Sequence, residues 1–200
     1  MKQVKIIGIT GQTGAGKSTV CKEFEKLGYY HIDADLVAKE VIDSNEEVKK
    51  DLALQFGEDV ILPDGKIDRR ELAARAFKTK KSAEKLSEIT HPAVIDEIKN
   101  IIEGKKADSA CEGVLIDAIG LFESGAYKLC DFTVCVTAPE EIRLQRIVER
   151  DRISVSAALL RIRAQKDESF FVSRADYTVC NDGKHQLSGQ IKRILAYEQG

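Results

Sequence analysis

The sequence predicts an α/β protein built on an open sheet of about five parallel strands. Two observations carry that prediction. Short apolar runs alternate with helical periods, the rhythm of strand–helix–strand units. The stretch Gly11-Gln-Thr-Gly-Ala-Gly-Lys17-Ser18-Thr19 has the spacing of a phosphate-cradling loop, with a strand before it and a helix after it.

Each element follows in order. Val4 to Thr10 is an apolar run that reads as a buried strand, and Ser18 to Leu27 reads as a helix ended by Gly28. Tyr29 to Ile32 is a second short strand, running into Asp33-Ala-Asp35. From Leu36 to about Ile102 the pattern is helical. Asn45 caps a helix through Phe56, Gly57 closes it, Pro63-Asp-Gly65 turns, and Asp68 caps a helix to about Phe77. Ser82 to Ile89 continues the helical period. Thr90 is expected to cap a further helix, with His91 at its start and Pro92 in its first turn. The strand rhythm returns at Gly113 to Asp117 and Phe132 to Thr137. Pro139 opens a helix to about Asp151, a second follows Ser154, Tyr177 to Cys180 is a fifth strand, and Leu187 to Tyr197 closes the chain.

This layout predicts a three-layer α/β/α unit. The core takes about 1–35, 112–138 and 175–200, a helical insertion about 36–111, and a helical lid about 139–174. The insertion is too long for a plain crossover and should wall one side of a cleft at the strand C-terminal ends.

Composition narrows the function. Of 200 residues, 43% are hydrophobic and 32% charged, an ordinary globular balance. A net charge of −2 gives no overall basic field for nucleic acid. No apolar run approaches the roughly 20 residues that span a bilayer. Met1-Lys2 leads directly into the first strand, so no secretory leader is expected. Cys21, Cys111, Cys130, Cys135 and Cys180 are scattered, with no C-x-x-C and no His at ligand spacing. They read as small buried hydrophobes in a reducing cytoplasm, and a structural metal site is not expected.

The loop carries the chemistry. Its glycines let the backbone turn tightly and aim N–H groups at one phosphate chain, at a helix N-terminus that favours an anion. The dipole supplies only about 0.3–1 kcal/mol, so Lys17 and a Mg²⁺ held through Ser18 must supply the rest for a triphosphate. Asp33 and Asp35 close the second strand, at the edge where the loop lies. One of them suits the role of orienting an attacking hydroxyl, the other that of a cap or metal-supporting group; a helix cap is the bland reading for either. Asp117 closes the third strand, where a carboxylate holds Mg²⁺ directly or through water, or merely caps. Arg143, Arg146 and Arg150 share one helix face, and Arg161 and Gln165 another. They fit either a lid closing on phosphates or a solvated charged face. Asn181-Asp-Gly183 is a turn at the edge where a nucleotide base would lie.

Together these residues resemble the dephospho-coenzyme A kinase family, from Ile6 to at least Asn181. The resemblance runs through the loop, His31-Ile-Asp-Ala-Asp35, Asp64-Gly-Lys-Ile-Asp-Arg69, Ile89-Thr-His-Pro92, Leu121-Phe-Glu-Ser-Gly125, Arg146 to Asp151, Arg161-Ile-Arg-Ala-Gln165 and Ala175-Asp-Tyr177. It implies a P-loop NTPase fold and MgATP-dependent phosphorylation of the ribose 3′-hydroxyl of dephospho-coenzyme A, with ATP and Mg²⁺ required. It implies Asp33 as base, with Lys17 and Arg146 as its catalytic companions. Gly11, Gly14, Ala15, Gly16, Lys17, Ser18, Thr19, Arg146, Arg150 and Asn181 would hold ATP. Asp33, Asp35, Arg69, His91 and Glu123 would face the acceptor, and Ser18 and Asp117 the metal. Two departures stand out: Ile119-Gly120-Leu121 where the family usually has Pro-Leu-Leu, and Lys39 where an Arg is frequent. Two rivals fit the loop alone: another small kinase acting on a nucleoside or nucleotide, and a non-catalytic nucleotide-binding switch. No self-complementary surface is readable, so the sequence leaves oligomeric state open.

Overall fold

The computed structural model describes residues 4–198, so Met1 and Lys2, read above as leading into the first strand, lie outside the described residues. Five strands form one sheet: β1 (Lys5–Thr10), β2 (Tyr29–Asp33), β3 (Gly113–Asp117), β4 (Phe132–Thr137) and β5 (Tyr177–Cys180). Their order is β2-β3-β1-β4-β5, which puts the strand that feeds the phosphate loop at the centre. β1 runs parallel to both neighbours, with Ile7 opposite Leu115 on one side and Phe132 on the other. β4 pairs parallel with β5.

Apolar residues on every strand are the reason this sheet can be covered on both faces. Ile7, Ile9, Leu115, Val134, Val136 and Val179 pack with Val20 and Phe24 of α1 (Lys17–Glu25) and with Ile191 of α9 (Leu187–Tyr197). Carboxylates satisfy the N–H group of the second residue in two strands: Asp131 Oδ2 accepts from Ile6 N at 2.7 Å, and Asp176 Oδ2 from Thr133 N at 2.8 Å. The remaining helices of this unit are α6 (Glu140–Asp151), α7 (Val155–Arg163) and α8 (Glu168–Val172). Buried Ile147 of α6 packs with Ala158 and Ile162 of α7. The five-residue α8 is not foreseen from sequence periodicity, which needs a longer window.

Backbone packing divides the chain into two compact units, one of residues up to Ile32 with Lys105 onward, the other Asp33–Gly104. The second is helical: α2 (Ala34–Ser44), α3 (Glu46–Phe56), α4 (Arg69–Ala76) and α5 (Lys80–Lys106), whose last two residues belong to the first unit. Its caps are those the sequence signals. Asn45 Oδ1 accepts from the N–H groups of Glu47 and Val48, and Asp68 Oδ1 from those of Arg70 and Glu71.

One expectation is corrected. Thr90 does not cap a new helix; α5 runs unbroken from Lys80 to Lys106 with Pro92 inside it. The Thr90 hydroxyl instead donates to the Leu86 carbonyl at 2.8 Å. His91 therefore lies in mid-helix, half-buried, with its pKa lowered by loss of solvent. Proline removes one i→i−4 bond, and the carbonyl it frees belongs to exposed Glu88, where water can reach it. The buried stripe Thr90, Val94, Ile98 and Ile102, one residue per turn, holds the helix together across that gap.

All five cysteines are free thiols, with Cys21, Cys111 and Cys135 buried. Burial, the first cause, with nearby carboxylates, pushes Cys130 and Cys135 up to about 12, so they stay protonated. Among the described residues no helix is long and apolar enough to cross a membrane.

Leu52 of α3 is fully buried in the helical unit. Leu52→Ala should cost about 2–5 kcal/mol in urea unfolding, the range for a core cavity; a loss below about 1 kcal/mol would show a site that collapses freely.

Candidate active site

The phosphate loop leaves β1 at Thr10 and enters α1 at Lys17, with Gly16 as N-cap. Gly14 and Gly16 have φ of 77° and 91°, a left-handed conformation that side chains rarely adopt. Space forbids a side chain as well. A Cβ on Gly14 would sit 2.6 Å from the Arg143 carbonyl oxygen, and one on Gly16 2.1 Å from Asn181 Nδ2. The N–H groups of Gly14, Gly16 and Ser18 meet no acceptor among the described residues. Lys17 Nζ donates to the Gly11 carbonyl at 3.2 Å.

The outer side of the loop is fully engaged. Arg146 donates from Nη1 to the carbonyls of Gly14 (3.3 Å) and Ala15 (3.1 Å), and from Nη2 to the Asn181 carbonyl (3.0 Å) and Oδ1 (3.4 Å). Asn181, itself buried, donates from Nδ2 to the Ala15 carbonyl at 2.9 Å. Gln165 Oε1 accepts from Thr13 N at 2.8 Å, and Gln12 Nε2 donates to the Lys166 carbonyl at 2.9 Å. The sequence reading missed Gln12; a buried amide inside a phosphate loop is the signal that would have found it. Gln165 and Arg161, read as one helix face, do different work, since Arg161 pairs with Asp151.

Arg150 also pairs with Asp151, at 2.7 and 3.1 Å. The Arg150 guanidinium beside it, with Arg161, holds the Asp151 carboxyl below the usual range. Arg143 is buried, and its Nε and Nη1 have no hydrogen-bond partner among the described residues; the Glu140 carboxylate lies 3.9 Å from its Nη2.

The strand ends carry the other candidates. Asp117 closes β3, and its Oδ2 accepts the Cys21 thiol at 3.8 Å and stands 3.6 Å from His31 Nε2. Glu123 is exposed in the turn after β3. That turn keeps its order without the usual proline: Thr10 Oγ1 donates to the Ile119 carbonyl at 3.2 Å, and Leu121 is fully buried.

In the helical unit, Asp33 is the N-cap of α2. Its Oδ1 accepts from Leu36 N at 3.0 Å, so the bland reading of this residue is present in the structure. A carboxylate has about four acceptor positions, so capping through one oxygen does not consume it. Asp35 is exposed in the first turn of α2. Arg69 is held on α2 through the Lys39 carbonyl (3.0 Å) and Asp43 Oδ2 (2.6 Å). Lys39 thus contributes its carbonyl whatever its side chain does.

The model of the family described as dephospho-CoA kinase matches residues 5–186. The chain is 37% identical to a dephospho-CoA kinase from Acinetobacter baylyi, over 97% of this chain and 96% of that one. It is 35% identical to a dephospho-CoA kinase from Corynebacterium diphtheriae, over 96% of each. A crystal structure of a Thermus thermophilus protein superposes with a TM-score of 0.79 at 29% identity, covering all of both chains.

Asn181→Ala removes the loop's buried side-chain brace. A loss of about 1–1.5 kcal/mol from buried hydrogen bonds corresponds to roughly tenfold weaker ATP binding by calorimetric titration. Unchanged affinity would show that the brace does not shape the loop.

Proposed function

The chain belongs to the dephospho-CoA kinase family, and we propose that it transfers the γ-phosphoryl group of ATP to the ribose 3′-hydroxyl of dephospho-coenzyme A, giving coenzyme A and ADP. The observation that carries this reading is the loop: three N–H groups without an acceptor among the described residues, at the start of a helix, in a chain that the family covers from residue 5 to 186. Those N–H groups suit phosphate oxygens, and the space that a Cβ would fill at Gly14 and Gly16 is already hemmed in by protein.

Roles follow from chemistry. Lys17 offsets phosphate charge, moving its ammonium from the Gly11 carbonyl to the nucleotide. Ser18 and Asp117 would hold Mg²⁺, a hydroxyl and a carboxylate being the oxygen donors that this ion prefers. Bound there, the ion would offset the negative charge of the phosphates. Arg146 acts as a positioning residue: its guanidinium fixes the loop carbonyls, so that the N–H groups keep their aim. Arg150 and Asn181 complete the nucleotide side. Asp33, the last residue of β2, accepts the proton of the 3′-hydroxyl and orients its oxygen. Asp35, Arg69, His91 and Glu123 serve the acceptor. The reading places the enzyme in the cytoplasm, where its five thiols remain reduced.

ADP release should be rapid with dephospho-coenzyme A and absent with nucleosides; the reverse pattern would refute the substrate assignment. Asp33→Asn should lower kcat by about 10²–10⁴, the range for losing a general base, while ATP affinity stays within a few-fold. Unchanged kcat would remove Asp33 from the reaction. Lys17→Ala should weaken ATP binding and turnover together, and an intact ATP affinity would contradict its role.

A further inference from the structure

Two side chains converge on one carboxylate oxygen, and the imidazole contact is too long for a hydrogen bond. Cys21 comes from α1, His31 from β2 and Asp117 from β3. Cys21 Sγ lies 3.8 Å and His31 Nε2 3.6 Å from the same atom, Asp117 Oδ2. All three donor atoms lie within 4.8 Å of one another. An N–H···O bond has its usual length near about 2.9–3.0 Å, well short of the imidazole–carboxylate distance.

A tetrahedral zinc accounts for it better. Bonds of about 2.0–2.1 Å to nitrogen, about 2.3 Å to sulfur and about 2.0–2.2 Å to oxygen place neighbouring donors roughly 3.3–3.7 Å apart. The second ring nitrogen supports the same assignment. His31 Nδ1 stands 3.4 Å from Glu25 Oε1, one turn beyond Cys21 on α1. A carboxylate on the far nitrogen is the arrangement that fixes the tautomer and orientation of a metal-bound imidazole. Cys21 and the His31 Nε2 atom are buried, while the His31 and Asp117 side chains as a whole are 20% and 13% exposed.

We propose that Cys21 Sγ, His31 Nε2 and Asp117 Oδ2 form a binding site for a thiophilic divalent cation of the zinc type, with water as the fourth ligand. Thiolate and imidazole select such an ion over magnesium, which prefers oxygen alone. Binding forms a metal–sulfur bond and releases the thiol proton to solvent. Chain spacing hides this site, because its three ligands come from three elements. Occupancy withdraws Asp117 from the nucleotide's metal, so zinc inhibits turnover. That consequence rests on the role proposed above for Asp117; the binding itself does not.

Cobalt titration of the full chain, first stripped with a chelator, tests the binding directly. A thiolate-to-cobalt charge-transfer band with intense four-coordinate visible bands is expected, bleached by one equivalent of Zn²⁺. Cys21→Ser should abolish the charge-transfer band, and His31→Gln, a change at a less buried position, should weaken cobalt binding with the fold intact by circular dichroism. Cys180→Ser, which disarms the second thiol cluster of Cys180, Asp182 and His185, should leave the spectrum unchanged. No band in the parent protein, a band persisting in Cys21→Ser, or a band lost in Cys180→Ser each overturns the site. Zinc should also slow turnover of the parent and spare Cys21→Ser. Zinc that binds with the expected spectrum yet leaves turnover untouched upholds the site and counts against the role of Asp117.

Discussion

Everything at the nucleotide end depends on the loop being held from outside. A backbone that presents N–H groups inward must turn its carbonyls outward, and those carbonyls need partners. Arg146 and Asn181 supply them at Gly14 and Ala15, while Gln165 takes the outward N–H of Thr13. The left-handed turns at Gly14 and Gly16 are then fixed by contacts as well as by torsional preference. The empty inward donors are the complement of the filled outward ones.

The sheet gives that loop a rigid base. β1 sits in the middle, hydrogen-bonded on both sides, so the point at which it hands over to the loop is among the best-supported positions in the fold. Two other strands end in polar residues: Asp117 as the last residue of β3, and Asn181 immediately after β5. A parallel sheet collects such residues from distant parts of the chain at one edge, which is why single positions along the sequence look unremarkable until the strands are aligned.

What could be read from sequence was what local chemistry decides. The loop, the caps at Asn45 and Asp68 and the strand runs each depend on a few neighbouring residues. Thr90-His91-Pro92 misled for the same reason. Its local signals favour a new start, yet the stripe from Thr90 to Ile102 packs as one surface, and tertiary burial outweighs one missing hydrogen bond. The partners of Arg146 were not readable, since they depend on where α6 lands beside the loop. Cys21, His31 and Asp117 were hidden likewise: nothing in their spacing announces that three elements converge on a single oxygen.

The anchorage of Arg146 also constrains motion. A helix bolted to the loop at its middle, and touching Gly14 through Arg143, cannot swing as a stiff rod without unseating the phosphate cradle. Bending has to begin further along. Among the described residues Arg152 is the one non-glycine with positive φ, at 52°, directly after the Asp151 clasp on Arg150 and Arg161. A change of torsion there would move α7, which carries Arg161, relative to α6, which carries Arg146.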